Sequence, residues 1–172
     1  MIRRFAAVLA LALAVAPAAA KEEKLNDAQI AHIAYTAGQI DIQAANLALA
    51  KSHDNMVRGF AQEMVRDHTA VNDKALALVK KLGVTPEANP VSASLTEAAD
   101  KKRSQLNHLD GAAFDRAYVE NEVAYHKTVN GALSKTLIPD ASDPELKQLL
   151  ETGLKLFEQH QEHAEHVAAM MH

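Results

Sequence analysis

The chain has 172 residues, of which 48% are hydrophobic and 4% aromatic, and it contains no cysteine or tryptophan. This length suits one domain, or one domain behind a targeting segment. Without cysteine there are no disulfides, thiolate nucleophiles or iron–sulfur clusters held by cysteine. The formal net charge of −4 gives no electrostatic reason to expect a nucleic acid partner. Because Ala and Leu supply much of the apolar content and are strong helix formers, the composition favours a helical protein.

The first twenty residues carry the three parts of an export signal. Arg3 and Arg4 form a short basic start, residues 5–15 are apolar, and small residues up to Ala20 offer a cleavage site. The apolar run is too short to cross roughly 30 Å of hydrocarbon as a helix, so a retained anchor fits less well. The pattern predicts a signal peptide over residues 1–20 and a mature domain over residues 21–172, in the periplasm or secreted. The two arginines leave twin-arginine export open beside the general route.

Beyond the signal, apolar residues recur at helical spacing between breaks marked by proline, glycine and short polar runs. Asn26 and Gln29 form the pattern of a capping box, which predicts the start of the first helix. Asp143 followed by Pro144 is typical of the start of another. Together these signals predict helices over residues 26–51, 54–82, 94–109, 112–137 and 143–172.

The helix over residues 94–109, which a capping box of Ser94 and Glu97 would begin, lies between the second and third long helices. Four long helices of about 26 residues would each span about 39 Å, and the shorter one about 24 Å, much of the height of a bundle. Such a crossover allows the second and third long helices to run parallel. The predicted fold class is all-α: a ferritin-like four-helix bundle with a short extra helix in the long crossover between the second and third long helices.

Acidic and histidine side chains interrupt the apolar faces of all four long helices. Counting residues from the helix turns places these side chains at a similar height, about eleven to fifteen residues from one end of the bundle. Burying several such groups without partners would cost several kcal/mol each, so we expect them to pair with one another or to hold a cation. The candidate metal ligands are Asp41, Glu63, Asp67, His68, Glu122, His126 and His160.

Two interpretations of these residues stay open. Carboxylates with imidazoles suit iron, manganese or zinc, and ferritin-like proteins build metal sites in the bundle core. In the alternative, acidic and histidine side chains hydrogen-bond to each other and only hold the helices in register. The Glu-x-x-His spacing of di-iron bundles is absent, since Glu122 and His126 are four residues apart and Asp67 and His68 are adjacent. A surface site for copper or zinc in the histidine-rich C-terminal tail is a third alternative.

Two stretches of the sequence resemble a widespread family of exported bacterial proteins. The first contains Phe-Ala-x-x-Met-Val-x-Asp-His, which ends at His68, and the second runs from Phe114 to His126. The family is domain of unknown function 4142, often labelled outer-membrane protein and placed with ferritin-like bundles. The resemblance covers about residues 27–168. It implies the helical bundle, a location in the cell envelope and recurrent polar positions at Asp41, Asp67, His68, His126 and His160.

The resemblance implies no activity, because the family has no established one. The family usually has glutamate at the position of Asp41, so this chain offers a shorter carboxylate there. The outer-membrane label conflicts with the sequence, which shows neither a pattern of barrel strands nor a cysteine that could carry a lipid.

We therefore expect an exported helical bundle that binds a transition metal, with no membrane span and no nucleic acid partner. The alternative is a metal-free envelope or stress-response protein that acts through protein partners, and a homodimer is also open. An enzyme, such as an oxidase or peroxidase at a metal centre, ranks third because the Glu-x-x-His pattern is missing.

Overall fold

The computed structural model describes residues 24–171, so the predicted signal peptide over residues 1–20 lies outside the described part of the chain. Within residues 24–171 the secondary structure is helical, with no strand. No helix in this range combines the length and the apolar character needed to cross a membrane. The main helices are α1 (Asp27–Lys51), α2 (Asn55–Leu82), α3 (Pro90–Asn107), α4 (Gly111–Ala132) and α5 (Pro144–Met170).

Polar side chains begin α1 and α5 as the sequence pattern predicts. The Asn26 side chain accepts a hydrogen bond from the backbone N–H of Gln29, and the Gln29 side chain accepts one from the backbone N–H of Asn26. The predicted capping box is therefore confirmed. Asp143 caps α5 by accepting from two backbone N–H groups of its first turn. Each cap satisfies donors that the helix itself leaves without partners, and stabilises the helix start by about 1 kcal/mol.

The predicted start of the crossover helix is wrong. The helix α3 begins at Pro90 rather than at Ser94, and its capping box consists of Asn89 and Ser92. Pro90 is accommodated because the first residue of a helix needs no N–H donor. The Asn89 side chain also donates to the backbone carbonyl of Gln29 at 3.3 Å. Capping boxes at Asn89 and at Ser94 both fit the sequence pattern, and this contact with α1 favours the one at Asn89.

The helix predicted over residues 112–137 forms but changes its winding near its end. After α4 the chain continues as a π-helical turn, Leu133–Leu137, and a short α-helical segment, Ile138–Asp140. The N–H of Ile138 donates to the carbonyl of Leu133, five residues earlier. Pro139 has no N–H and would clash with a carbonyl of the preceding turn in a regular helix. The wider π turn accommodates the proline without ending the helix.

The helices α1 and α2 pack against each other, as do α4 and α5. At one end of the bundle the N–H of Leu25 donates to the Asp140 carboxylate at 3.0 Å. At the other end the Lys51 ammonium lies 2.9 Å from the Asp110 carboxylate. These contacts join the start of α1 to the end of the α4 segment and the end of α1 to the start of α4. Consequently α2 and α4 run parallel, and α3, which packs along α1, is the predicted crossover.

Two apolar clusters fill the interior, one towards each end of the bundle. The first includes Phe60 and Phe114, and the second includes Ile30 and Leu150. Burial of apolar surface, at about 25 cal/mol per Å², makes these clusters the main source of stability. Between them lies a layer of buried polar side chains, which we call the polar layer; it consists of Asp41, His68, Glu122, His126 and His160.

Candidate metal centre

The polar layer draws on all four bundle helices. The helices α1, α2 and α5 contribute Asp41, His68 and His160, and α4 contributes Glu122 and His126. Each residue is between 1% and 3% exposed. The sequence predicts these five side chains at one height, and the structure brings them together there. The chain therefore holds two carboxyl groups and three imidazoles away from solvent.

Asp41 and the three histidines form the centre of the polar layer. The Oδ2 atom of Asp41 lies 3.3 Å from Nε2 of His68 and 3.5 Å from Nε2 of His126. The ring of His160 has its centroid 5.2 Å from that of His68 and 5.6 Å from that of His126. One ring nitrogen from each histidine lies within 4.8 Å of one from each of the other two. The three histidines thus form one group of potential ligand atoms, and Asp41 lies next to two of them.

A backbone hydrogen bond orients the ring of His126. Its Nδ1 atom lies 3.0 Å from the backbone carbonyl oxygen of Glu122. A carbonyl oxygen only accepts, so Nδ1 carries the proton, and in the neutral ring Nε2 carries a lone pair. The Nε2 atom is buried and has no hydrogen-bond partner. This lone pair belongs to the atom that lies next to the Asp41 carboxylate.

The ring of His160 is oriented in a similar way by an acidic side chain. Its Nε2 atom lies 3.1 Å from Oδ2 of Asp67. Arg66 donates to both oxygens of Asp67, at 2.7 and 2.9 Å, and lowers the pKa of this carboxyl. Asp67 is therefore an ionised acceptor, and His160 donates to it through Nε2. The other nitrogen, Nδ1, is buried without a partner, so the neutral ring leaves a lone pair there.

His68 is held by packing more than by hydrogen bonds. Its ring stacks on Phe157, with centroids 4.6 Å apart and an interplanar angle of 10°. Neither of its ring nitrogens has a hydrogen-bond partner. Burial lowers its pKa from 6.5 to about 4, so the ring is neutral at pH 7. A neutral imidazole is the form that binds a metal.

Glu122 adds a second carboxyl group beside the centre. Burial and the nearby charge of Asp41 raise the pKa of Glu122 well above its ordinary value. Its Oε1 atom accepts a hydrogen bond from Asn121 at 3.3 Å, whereas Oε2 has no partner. Potential ligand atoms of Asp41, Glu122 and His126 also lie within 4.8 Å of one another. Two adjacent buried carboxyl groups are favourable only if they share a proton or a cation.

Glu63 and Asp67 lie outside the polar layer, although the sequence groups them with it. Glu63 contacts Nδ1 of His163 at 2.6 Å, and the two side chains are 30% and 42% exposed. Asp67, with 16% of its side chain exposed, reaches the layer only through His160. Both acidic residues lie at the edge of the apolar face of α2 and turn towards α5. Potential ligand atoms of Glu63, Asp67 and His160 lie within 4.8 Å of one another, forming an outer group near the surface.

Two residues near the site are not among the candidates taken from the sequence. The hydroxyl group of Tyr118 is buried without a partner, and burial together with Glu122 and Asp41 raises its pKa well above the ordinary value. Phe157 stacks on His68. The spacing of Tyr118, Glu122 and His126, four residues apart along α4, could have indicated that the tyrosine shares their face.

The donor set fits a transition metal in its chemistry, and the two measured contacts of Asp41 fit in distance as well. Nitrogen or oxygen ligands about 2.1 Å from a tetrahedral ion lie about 3.4 Å from each other. The two contacts of Asp41 Oδ2, 3.3 Å to His68 and 3.5 Å to His126, match that separation. The three imidazoles, within 4.8 Å of one another, would need only a small inward movement.

A long helical crossover and a core to which each of the four bundle helices contributes a carboxylate or an imidazole define a ferritin-like helical bundle. The fold is similar to the crystal structure of a Streptomyces coelicolor protein with domain of unknown function 305, described as secreted. The TM-score is 0.72 at 13% sequence identity, covering 84% of this chain and 93% of that one. The model of the family called domain of unknown function, DUF4142, matches residues 12–167, and the chain belongs to that family. None of the curated proteins compared with the chain matches its sequence.

Proposed function

We propose that the protein is an exported bundle that binds one transition-metal ion in its polar layer. The ligands are Asp41, His68, His126 and His160, with Glu122 beside them. The observation that carries the proposal is the orientation of the rings. Hydrogen bonds to the Glu122 carbonyl and to Asp67 occupy the N–H groups of His126 and His160, so the remaining nitrogens of both rings are acceptors without a donor.

The electrostatics of this arrangement favour a cation. Lone pairs of ring nitrogens beside a buried carboxylate repel the charge of that carboxylate, and leaving such acceptors without donors costs about 1–3 kcal/mol each. A metal ion accepts all of these lone pairs at once and neutralises the carboxylate. The partners on the outer nitrogens then hold the rings in the ligating orientation, as hydrogen bonds to metal-bound histidines generally do.

The ligand chemistry narrows the choice of metal. Imidazole and carboxylate without sulfur suit zinc, iron or manganese. The Glu-x-x-His pairs that hold two ions in di-iron bundles are absent, which favours a single ion. Storage, sensing or structural use of the ion rank before catalysis for the same reason, and an oxidase or peroxidase remains the third hypothesis.

Metal analysis of the purified protein tests the proposal. Protein isolated from the periplasm, and protein stripped with EDTA and titrated with Zn²⁺, Mn²⁺ or Fe²⁺, is expected to hold about one ion per chain. Asp41→Asn and His126→Gln should abolish tight binding, whereas His53→Gln, which changes an exposed histidine, should leave it intact. Substoichiometric metal that is unchanged in the two layer variants would refute the proposal.

A metal-free role is the second candidate, and the outer pairs favour it. Asp67 with His160 and Glu63 with His163 are hydrogen bonds that join α2 to α5 without an ion. In this case the protein acts on envelope or stress-response partners, or as a homodimer. A partner that binds the wild type and His126→Gln equally, with no metal in either, would support this candidate over the first.

Export itself is a proposal that rests on the N-terminal sequence. Cell fractionation should place the protein in the periplasm or the medium. N-terminal sequencing of the mature chain should begin at Lys21, after the predicted cleavage site. A chain that starts at Met1 and stays in the cytoplasm would contradict the proposal.

A further inference from the structure

An apolar cavity of about 360 Å³ adjoins the polar layer on the side of the Ile30–Leu150 cluster. Asp41, His68 and His126 line its inner end, and aliphatic side chains of all five helices line the rest. Native cores rarely contain voids larger than a water molecule. A space of this size, apolar with a few polar groups at one end, matches the usual small-molecule site.

The cavity is elongated along the bundle. On α2 its lining reaches from His68 to Val79, and on α4 and the π turn that follows it from His126 to Leu137. Both spans are eleven residues, or about 17 Å of helix. A volume of 360 Å³ spread over that length describes a narrow space, with room for roughly a dozen groups of the size of a water molecule or a methylene. Its shape suits one extended hydrocarbon chain.

The cavity is bordered on one side by a seam between α3 and α4. Val91, which is 46% exposed, lines it from α3. The exposed residues Thr128, Ala132 and Thr136 line it from α4 and its continuation, at intervals of one helical turn. Since α3 packs mainly along α1, a small outward movement of α3 would open this seam without separating the four bundle helices.

We infer that the cavity binds a single-chain fatty acid whose carboxylate becomes a fifth ligand of the metal ion in the polar layer, which expands the tetrahedral coordination to five. This inference rests on the proposed metal site, which it extends by naming a ligand class. The chain would lie among the aliphatic residues, with the head group beside Asp41 and His68. The metal supplies the positive charge that a carboxylate needs there, since Asp41 alone would repel it.

Calorimetric titration of dodecanoate into the Zn²⁺-loaded, full-length mature protein tests the inference. Dodecanoate should bind at one molecule per chain, and at least about tenfold more weakly to protein stripped with EDTA, because the carboxylate then meets Asp41 without the ion. Replacing Zn²⁺ by Co²⁺ gives a second readout, since a carboxylate ligand should change the visible absorption of the bound Co²⁺.

Matched variants on α2 separate the cavity from general surface binding. Ala75 lines the cavity, whereas Ala70 is exposed and does not. Ala75→Phe should weaken dodecanoate binding at least about tenfold while retaining zinc, and Ala70→Phe should bind like the wild type. Ala132→Phe, at the exposed border of the cavity, gives the same test if Ala75→Phe does not fold.

The outcomes distinguish this inference from the proposed function. Zinc binding without dodecanoate binding, or dodecanoate binding that is the same in Ala75→Phe, Ala132→Phe and the wild type, overturns the fatty-acid site and leaves the metal site standing. Failure of the wild type to hold zinc overturns the metal site. Dodecanoate that binds equally tightly to EDTA-stripped and zinc-treated protein overturns the proposed role of the metal in fatty-acid recognition.

Discussion

Acidification of the metal-free protein is expected to lower its free energy of unfolding through His68. Burial lowers the pKa of this ring from 6.5 to about 4, so the folded chain keeps it neutral at pH values where the unfolded chain binds a proton. The stabilising contribution is complete above pH 6.5 and is lost as the pH falls towards 4, below which both states are protonated. At about 1.4 kcal/mol per pKa unit, the loss reaches about 3 kcal/mol.

Glu122 acts in the opposite direction and has to be separated from His68. Its raised pKa means that the folded chain holds a proton that the unfolded chain releases. Its contribution is therefore present below the ordinary pKa of 4.5 and is lost as the pH rises above that value. Between pH 4.5 and 6.5 the two effects partly cancel in the wild type. The variant His68→Gln keeps the contribution of Glu122 and lacks that of His68, so the difference between wild type and variant isolates the contribution of His68.

Urea denaturation followed by far-UV circular dichroism, in EDTA at several pH values from 7 to 4, measures the difference. The free energy of unfolding of the wild type, relative to that of His68→Gln, should fall by about 3 kcal/mol over this range. His53→Gln, an exposed substitution, is the control for the general effect of losing a histidine. A difference between wild type and His68→Gln that stays constant from pH 7 to 4 would refute the argument that burial keeps this ring neutral.

Three further predictions concern packing, the metal and the π turn. Gly38→Ala should destabilise the fold by about 1–2 kcal/mol in urea denaturation, because the new Cβ would lie 2.9 Å from Cγ of Asn72. Gly59→Ala, with open space around it, should instead be neutral or stabilise by up to about 1 kcal/mol. Zn²⁺ at 100 times its dissociation constant should stabilise the wild type by about 3 kcal/mol in thermal melts and should not stabilise Asp41→Asn. Pro139→Ala should change the free energy of unfolding by less than about 1 kcal/mol, since the π turn already accommodates the proline; a stabilisation of about 3 kcal/mol would show that the proline strains the helix.

The bundle could be predicted because its signals are local. Asn26 with Gln29 begins α1, Asp143 with Pro144 begins α5, and regular apolar spacing defines the faces between. The common height of the polar layer followed from the helix rise and from the assumption that the crossover makes the second and third long helices parallel. The start of α3 could not be predicted from nearby residues, because Ser94 also fits a capping pattern. The contact that favours Asn89 is its hydrogen bond to the backbone carbonyl of Gln29, sixty residues earlier.

Finer features of the site depend on contacts that no spacing rule contains. Glu63 and Asp67 lie near the inward face of α2, yet each turns to a histidine of α5 at the edge of the bundle. The tautomer of His126 follows from a hydrogen bond to a backbone carbonyl, which its sequence position does not reveal. The cavity is a property of how five helices leave space between them, and the residues that line it look like ordinary core residues in the sequence.

The positions of hydrogen-bond donors in and around the polar layer bear on whether its residues have a structural role or bind a metal. Pairs that only hold helices in register should place each N–H opposite an acceptor, as Asp67 does for His160 near the surface. In the centre of the layer the arrangement is reversed, because Asp41 and the inner nitrogens of His126 and His160 have no donor in hydrogen-bond geometry. The outer pairs are thus explained by structure alone, whereas the centre requires a proton or a cation. A proton can satisfy one such contact, whereas the metal ion that we propose would offer a coordination position to each of these groups.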